Sequence, residues 1–155
     1  MAASIERLVE LGLLRAGERA PDGRSSLRAL CAAGVLEGGM SVASDIRPTD
    51  LVGPLCSYLG GPAARLRVLE ALSEPAEVWV LVGGKEERWP TPDVAALVTQ
   101  LNRCYRREPQ VPAIARLGSW EDAWQLWCIP KRVLTVVLRE DFFEAENSAE
   151  LSALE

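Results

Sequence analysis

Residues 119–129, Ser-Trp-Glu-Asp-Ala-Trp-Gln-Leu-Trp-Cys-Ile, decide between two folds for this chain. As a helix, the segment begins with a sequence of capping-box form and gathers its polar side chains on one arc of the helix surface: Glu121, Asp122 and Gln125. As a strand, it places alternate residues on one face: Trp124, Leu126 and Cys128. We favour the helix, because it accounts for all three polar positions.

The segments on either side of 119–129 predict strands and one further helix. Apolar runs rich in β-branched residues predict three strands, Val78–Val82, Val111–Arg116 and Val133–Leu138. Thr91-Pro-Asp93 predicts the start of a helix, with the Thr91 hydroxyl as its cap. With a second helix at 119–129, the order over about 76–139 is βαβαβ. This order predicts an α/β fold with a small three-stranded, mainly parallel sheet.

The N-terminal part of the chain predicts short helices that would cover this sheet. Periodic apolar residues indicate helices near Ile5–Leu11, from about Ser25, at Thr49–Leu59 and at Pro62–Leu72. The first two end alike, at Gly12 and Gly34, each followed by an apolar residue, which is typical of helices stopped by a left-handed glycine. The likeness fits either a duplicated helical unit or two independent helix stops.

If residues 119–129 form a strand instead, the prediction changes to an α+β fold with an antiparallel sheet. The order over roughly residues 62–155 then becomes helix–strand–strand–helix–strand–strand–strand, with Lys85–Trp89 as one of the strands. That order resembles the roadblock family, whose members dimerise and regulate small GTPases. The resemblance covers element order and includes no motif, so it assigns no residues.

Composition divides the chain into three regions. Residues 1–72 form a helical region with no net charge, and residues 73–139 form the α/β region with a net charge of +1. Ser73-Glu-Pro75, a turn-like triplet, separates them, and we expect the two to form one compact unit. Residues 140–155 form an acidic tail with six acidic residues and no basic ones, which accounts for the overall charge of −5.

The same composition excludes several classes of function. The chain has no histidine, which excludes serine–histidine and cysteine–histidine catalysis and histidine-ligated metals. Its four cysteines are far apart and lack a Cys-x-x-Cys pair, so a zinc site is not expected. An acidic tail repels phosphate backbones, and no apolar run could span a bilayer. We therefore expect a soluble, cytoplasmic protein with no cofactor, no nucleic-acid partner and no membrane partner.

The candidate binding residues follow the strand predicted at 78–82. Gly83-Gly-Lys85 lacks the glycine spacing of a phosphate-binding loop, so we interpret Gly83–Asp93 as a protein-binding loop with an exposed tryptophan. A basic cluster at the end of the next helix could hold an anion or an acidic segment. Together the partner-binding candidates are Lys85, Glu86, Glu87, Arg88, Trp89, Arg103, Arg106 and Arg107.

The sequence therefore predicts a non-enzymatic protein–protein interaction or regulatory module, with an unidentified protein partner and possible homodimerisation. No catalytic residues can be assigned. An acidic, tryptophan-rich chain also suits an inhibitor of the immunity type that neutralises a basic enzyme. The third hypothesis is a small enzyme that uses a divalent metal held by Glu86, Glu87 and Asp93, since such ions prefer oxygen ligands.

Overall fold

The computed structural model describes residues 5–14, 27–120 and 122–139. These residues form an α+β protein with two small antiparallel sheets. In chain order the elements are α1 (Ile5–Glu10), α2 (Leu27–Ala32), β1 (Gly39–Ala43), α3 (Pro48–Leu59), a 3-10 helix (Gly61–Arg65), β2 (Arg67–Ser73), β3 (Ala76–Val82), β4 (Lys85–Pro90), α4 (Val94–Cys104), β5 (Ala113–Trp120), β6 (Ala123–Ile129) and α5 (Lys131–Arg139).

The chain divides into two compact units, which do not follow the three regions of the sequence. One unit comprises residues 1–44 with 113–155, and the other comprises residues 45–112. The Ser73-Glu-Pro75 triplet lies in a turn between two paired strands, since Ser73 pairs with Ala76. The acidic tail at 140–155 lies outside the described residues, and none of the described helices is long and apolar enough to cross a membrane.

The prediction of a parallel sheet over about 76–139 is wrong. The first unit contains an antiparallel sheet in the order β1-β6-β5, with α2 packed against it. The second unit contains the antiparallel sheet β2-β3-β4. The element order also differs from the roadblock-like alternative, because between residue 62 and residue 139 the described residues contain three strands before α4 and two after it.

Residues 119–129 contribute to two strands and not to a helix. Trp120 pairs with Ala123, and Asp122 in the turn between them has a φ of 61°, a left-handed conformation that Asp tolerates. Gln125, which a helix would place on its polar surface, is 1% exposed, and its Oε1 accepts a hydrogen bond of 2.7 Å from the Ser41 hydroxyl. Ser41 stands opposite it on β1. A partner 84 residues away therefore satisfies this polar side chain.

The predicted strand at 133–138 is also wrong, since this run lies within α5. Leu134 and Val137 are buried, and their i, i+3 spacing places them on one side of a helix. The Val133 amide donates a 3.0 Å hydrogen bond to the Pro130 carbonyl where the chain leaves β6. A short apolar run fits a strand or a buried helix equally well by periodicity, and here packing on the core decides.

The two N-terminal helices end as the sequence predicts, at glycines in left-handed conformation. Gly12 has a φ of 75° and Gly34 a φ of 77°. After each glycine, the chain turns back on its helix, since the Leu13 amide donates to the Leu8 carbonyl and the Val35 amide to the Leu30 carbonyl. The two endings then meet in an antiparallel bridge between Leu14 and Leu36. All six of these apolar residues are buried in the core of the first unit.

In the second unit, α3 packs on β2 and β3, and α4 packs on β4. The helix predicted at Thr49–Leu59 is confirmed as α3, and the strand predicted at Val78–Val82 lies within β3. The helix predicted at Pro62–Leu72 is wrong, because its first residues form a short 3-10 helix and the rest form β2. The apolar side of α3 comprises Leu51, Val52, Leu55, Cys56 and Leu59.

The helix predicted from Thr91-Pro-Asp93 is present as α4, but its cap is a different residue. Asp93 is the N-cap, and its carboxylate accepts a 2.7 Å hydrogen bond from the Ala96 amide. Thr91 lies two residues earlier and is fully buried, with its amide bonded to the Ala76 carbonyl at 2.9 Å. Its hydroxyl has no hydrogen-bond partner among the described residues.

Candidate interaction surface

The stretch interpreted as a binding loop, Gly83–Asp93, consists mainly of strand β4. Gly83 and Gly84 form the turn from β3, and both have positive φ angles, as a two-residue hairpin turn of this hand requires. Val82 pairs with Lys85 directly after the turn. The predicted binding residues Lys85, Glu86, Glu87 and Arg88 are exposed, but they are distributed over the two faces of a strand and do not form a loop.

The sequence predicts an exposed Trp89, and this prediction is wrong. Trp89 is 1% exposed and lies opposite Val78, on the same inner face of the sheet as buried Val80. Its indole N–H donates a 3.0 Å hydrogen bond to Glu87, two residues earlier on the same face. A loop imposes no alternation on its side chains, whereas a strand does, and the alternation turns Trp89 inward.

The half-exposed tryptophan of this hairpin is Trp79, on the outer face. The Arg88 guanidinium carbon lies 3.9 Å from the centre of the Trp79 ring, and the Trp79 indole N–H donates a 2.8 Å hydrogen bond to Glu77. The Arg88 Nε atom lies 3.9 Å from Oε1 of Glu77, so Glu77, Trp79 and Arg88 form one cluster, the Trp79–Arg88 cluster. A cation over an exposed ring contributes about 0.5–1 kcal/mol, so the cluster favours one orientation of the indole.

The predicted basic cluster lies at the end of α4. Arg103 is in the last turn of the helix, Arg106 and Arg107 follow it, and all three are exposed. Of these, Arg103 lines a shallow pocket of about 450 Å³ together with residues from the start of the helix and the end of β4. The other lining residues are Pro90, Pro92, Ala95, Ala96, Thr99 and Gln100. The pocket is mostly apolar and open.

The thiols of the second unit are protonated at neutral pH. Burial raises the pKa of Cys56 to about 12, and the neighbouring Cys104 thiol adds to the increase. Burial also raises the pKa of Cys104, followed by the nearby charge of Glu87. The phenol of Tyr105 likewise has a raised pKa, mainly through burial. A nucleophilic cysteine needs a lowered pKa, so these groups behave as core side chains.

The predicted metal ligands do not converge. Glu86 lies opposite Leu81 and Glu87 opposite Val80, so the two carboxylates leave β4 on opposite faces. Asp93 is engaged as the cap of α4. Across residues 5–14, 27–120 and 122–139 there is no group of three or more acidic, cysteine or histidine side chains that could hold a metal ion.

Strand β2 is the surface that the sequence does not predict. It is an edge of its sheet, and every residue except Leu72 is exposed. Val68 is 40% exposed and Leu69 43%. Leu69 is an extra residue in the ladder, because Val68 pairs with Val80 and Glu70 with Trp79. The leucine spacing of this stretch is that of a helix, and the signal for a strand is only the two-residue turn that links it to β3.

No protein-family model, curated protein or solved structure matches this chain.

Proposed function

We propose that this chain is a protein–protein interaction module that binds an extended segment of its partner along the free edge of β2. One observation carries the proposal: β2 is an exposed edge strand whose side chains are mostly apolar. The edge of a sheet presents backbone N–H and C=O groups that a second strand can pair with. Binding of this kind takes its affinity from main-chain hydrogen bonds and its specificity from alternate side chains.

The two edges of the same sheet differ in a way that favours β2. Natural sheets protect exposed edges with charges, lysine above all, and with proline. Strand β4 has these features, since its residues are Lys85, Glu86, Glu87, Arg88, Trp89 and Pro90. Strand β2 has only two charged residues, Arg67 and Glu70, among Val68, Leu69, Ala71 and Leu72. The sheet is therefore protected at one edge and open to pairing at the other.

The outer face of the hairpin would extend this binding surface. Glu70 lies opposite Trp79, so a strand added at β2 would run one position away from the Trp79–Arg88 cluster. An indole, with its apolar body and one polar edge, is a common anchor at protein interfaces. The four cysteines are free, which fits a reducing compartment, and we propose the cytoplasm as the site of action.

A peptide selection tests the proposal even though the partner is unidentified. A random peptide library displayed on phage is selected on the immobilised full chain, and the winning peptides are synthesised. We expect extended apolar peptides that slow the amide exchange of β2. We also expect Leu69→Lys to weaken their binding about tenfold or more, because the lysine breaks the apolar edge.

The matched control is Val9→Lys, which adds the same charge at an apolar residue of similar exposure, 39%, in the other unit. It should leave peptide binding unchanged. The proposal fails if the selection yields no binders. It also fails if the binders retain their affinity for the Leu69→Lys protein or leave the exchange of β2 unaltered.

A further inference from the structure

We infer that the segment that pairs with β2 is β2 of a second copy of this chain. The inference rests on the proposed function and names its partner. The two copies would be related by a two-fold axis perpendicular to the sheets. Their β2-β3-β4 sheets would then form one continuous antiparallel sheet in which the two β2 strands are neighbours. The observation behind it is that the charges of β2 are self-complementary.

The extra residue Leu69 places both charges of β2 on one face. Arg67 lies opposite Leu81, and Glu70 lies opposite Trp79. Leu81 and Trp79 are two residues apart on β3, so they share the outer face, and Arg67 and Glu70 share it with them. In a regular strand, residues three apart would point to opposite faces. A two-fold axis perpendicular to the sheet keeps each residue on its own face, so these two positions can stand opposite each other across the axis.

One register of the paired strands uses this arrangement twice. With Arg67 opposite Glu70 of the second copy, the symmetry also places Glu70 opposite Arg67 of the second copy. At the centre, the pair Val68 and Leu69 of one copy then faces the same pair of the second copy. Next to these positions, Ala71 faces Leu66 of the second copy. Leu66 already has extended backbone, with φ −62° and ψ 135°, so the ladder can include it. Registers centred on either charged residue would place like charges opposite each other, which is unfavourable.

Both charges are available for this pairing. Neither the Arg67 nor the Glu70 side chain has an ion-pair or hydrogen-bond partner within the described part of the chain, and both residues are exposed. Opposite charges that face each other across a strand pair are favourable, and like charges are not. The charged edge at β4 disfavours a second pairing on the other side of the sheet. Pairing through β2 alone stops at a dimer, whereas a sheet that could pair at both edges would form filaments.

Sedimentation velocity on the full chain tests the inference, over a range of protein concentration of about a hundredfold. We expect a concentration-dependent dimer in the wild-type protein. Arg67→Glu and Glu70→Arg, each alone, should weaken dimerisation about tenfold, because each replaces two attractive pairs by two repulsive ones. The double variant Arg67→Glu/Glu70→Arg restores opposite charges at both positions, so its dimerisation should return to the wild-type level.

The matched control is Lys85→Glu on the exposed edge of β4, which changes the charge by the same amount as Arg67→Glu and should leave the dimer unaffected. Circular dichroism and thermal melts verify that each variant is folded. A wild-type chain that stays monomeric would overturn the inference, and so would a dimer that ignores the single charge reversals or is not restored in the double variant. If the chain is monomeric while selected peptides still bind β2, the second copy is excluded and the proposed function stands. Failure of both experiments removes both.

Discussion

Replacing Thr91 by valine should stabilise the protein. The Thr91 side chain is fully buried, and its hydroxyl has no hydrogen-bond partner among the described residues. A buried hydroxyl without a partner costs about 1–3 kcal/mol of desolvation. Valine has the same branched shape and keeps the amide that bonds to the Ala76 carbonyl. We therefore expect Thr91→Val to raise the free energy of unfolding by about 1 kcal/mol.

For Asp93, two residues after Thr91, we expect the opposite effect on stability. Its carboxylate accepts the Ala96 amide at 2.7 Å, and loss of such a cap costs about 0.5–2 kcal/mol. Asp93→Ala should therefore destabilise the protein, while Asp93→Asn should retain most of the cap. The sequence alone assigns the cap to Thr91 and so predicts that loss of the hydroxyl, as in Thr91→Ala, costs about 0.5–2 kcal/mol. The two interpretations thus differ in the sign of one measurement.

Urea unfolding followed by circular dichroism measures these differences, provided that the dependence on urea is the same in all variants. Thr99→Val is the control, because Thr99 is exposed on α4 and the same change there should be close to neutral. A loss of about 1 kcal/mol or more in Thr91→Val would refute the reasoning, since it would mean that the hydroxyl makes a favourable hydrogen bond.

Three further predictions concern other parts of the structure. Gly38→Ala should cost at least about 2 kcal/mol in urea unfolding, because the new Cβ collides with the Cys128 carbonyl oxygen, whereas Gly34→Ala, in open space at a similar φ, should cost about 1 kcal/mol. Stability should fall as the pH rises from about 9 to about 12, because burial raises the pKa of the Cys56 thiol to about 12 in the folded state, whereas the same thiol ionises near pH 9 in the unfolded chain. The urea midpoint of Cys56→Ala should therefore fall less steeply over this range than that of the wild-type protein. Asp122→Gly should raise the melting temperature and Asp122→Val should lower it, since glycine adopts a φ of 61° freely, Asp only tolerates it and a β-branched residue is strained there.

Local signals predict those elements whose conformation is determined within a few residues. The left-handed glycines at Gly12 and Gly34 and the strand at Val78–Val82 follow from local backbone preferences and from side chains that favour strands. The position of α4 follows from Pro92 and Asp93, although the choice of cap does not. In each of these cases the deciding partner lies close by in sequence.

The elements for which the prediction is wrong are those whose partners are distant. Gln125 looks like a surface residue until Ser41 supplies its hydrogen bond. The run at 133–138 has the composition of a strand, but Leu134 and Val137, three residues apart, pack in the core of its unit, and this spacing fits a helix. The binding surface is misplaced for a related reason, because an interpretation of 85–90 as a loop leaves the direction of Trp89 undetermined, and its strand pairing settles that direction.

The pairing of β1 with β6 has a consequence for the order in which the two units can fold during synthesis. Gly39 emerges from the ribosome 88 residues before Trp127, the residue opposite it. The unit at 45–112 is contiguous and is complete before β6 exists, so it can fold first. Until β6 emerges, the apolar N-terminal helices lack their sheet. We therefore expect chaperones to bind nascent chains that have released residues 45–112 but not yet β6 from the ribosome more strongly than they bind the released protein.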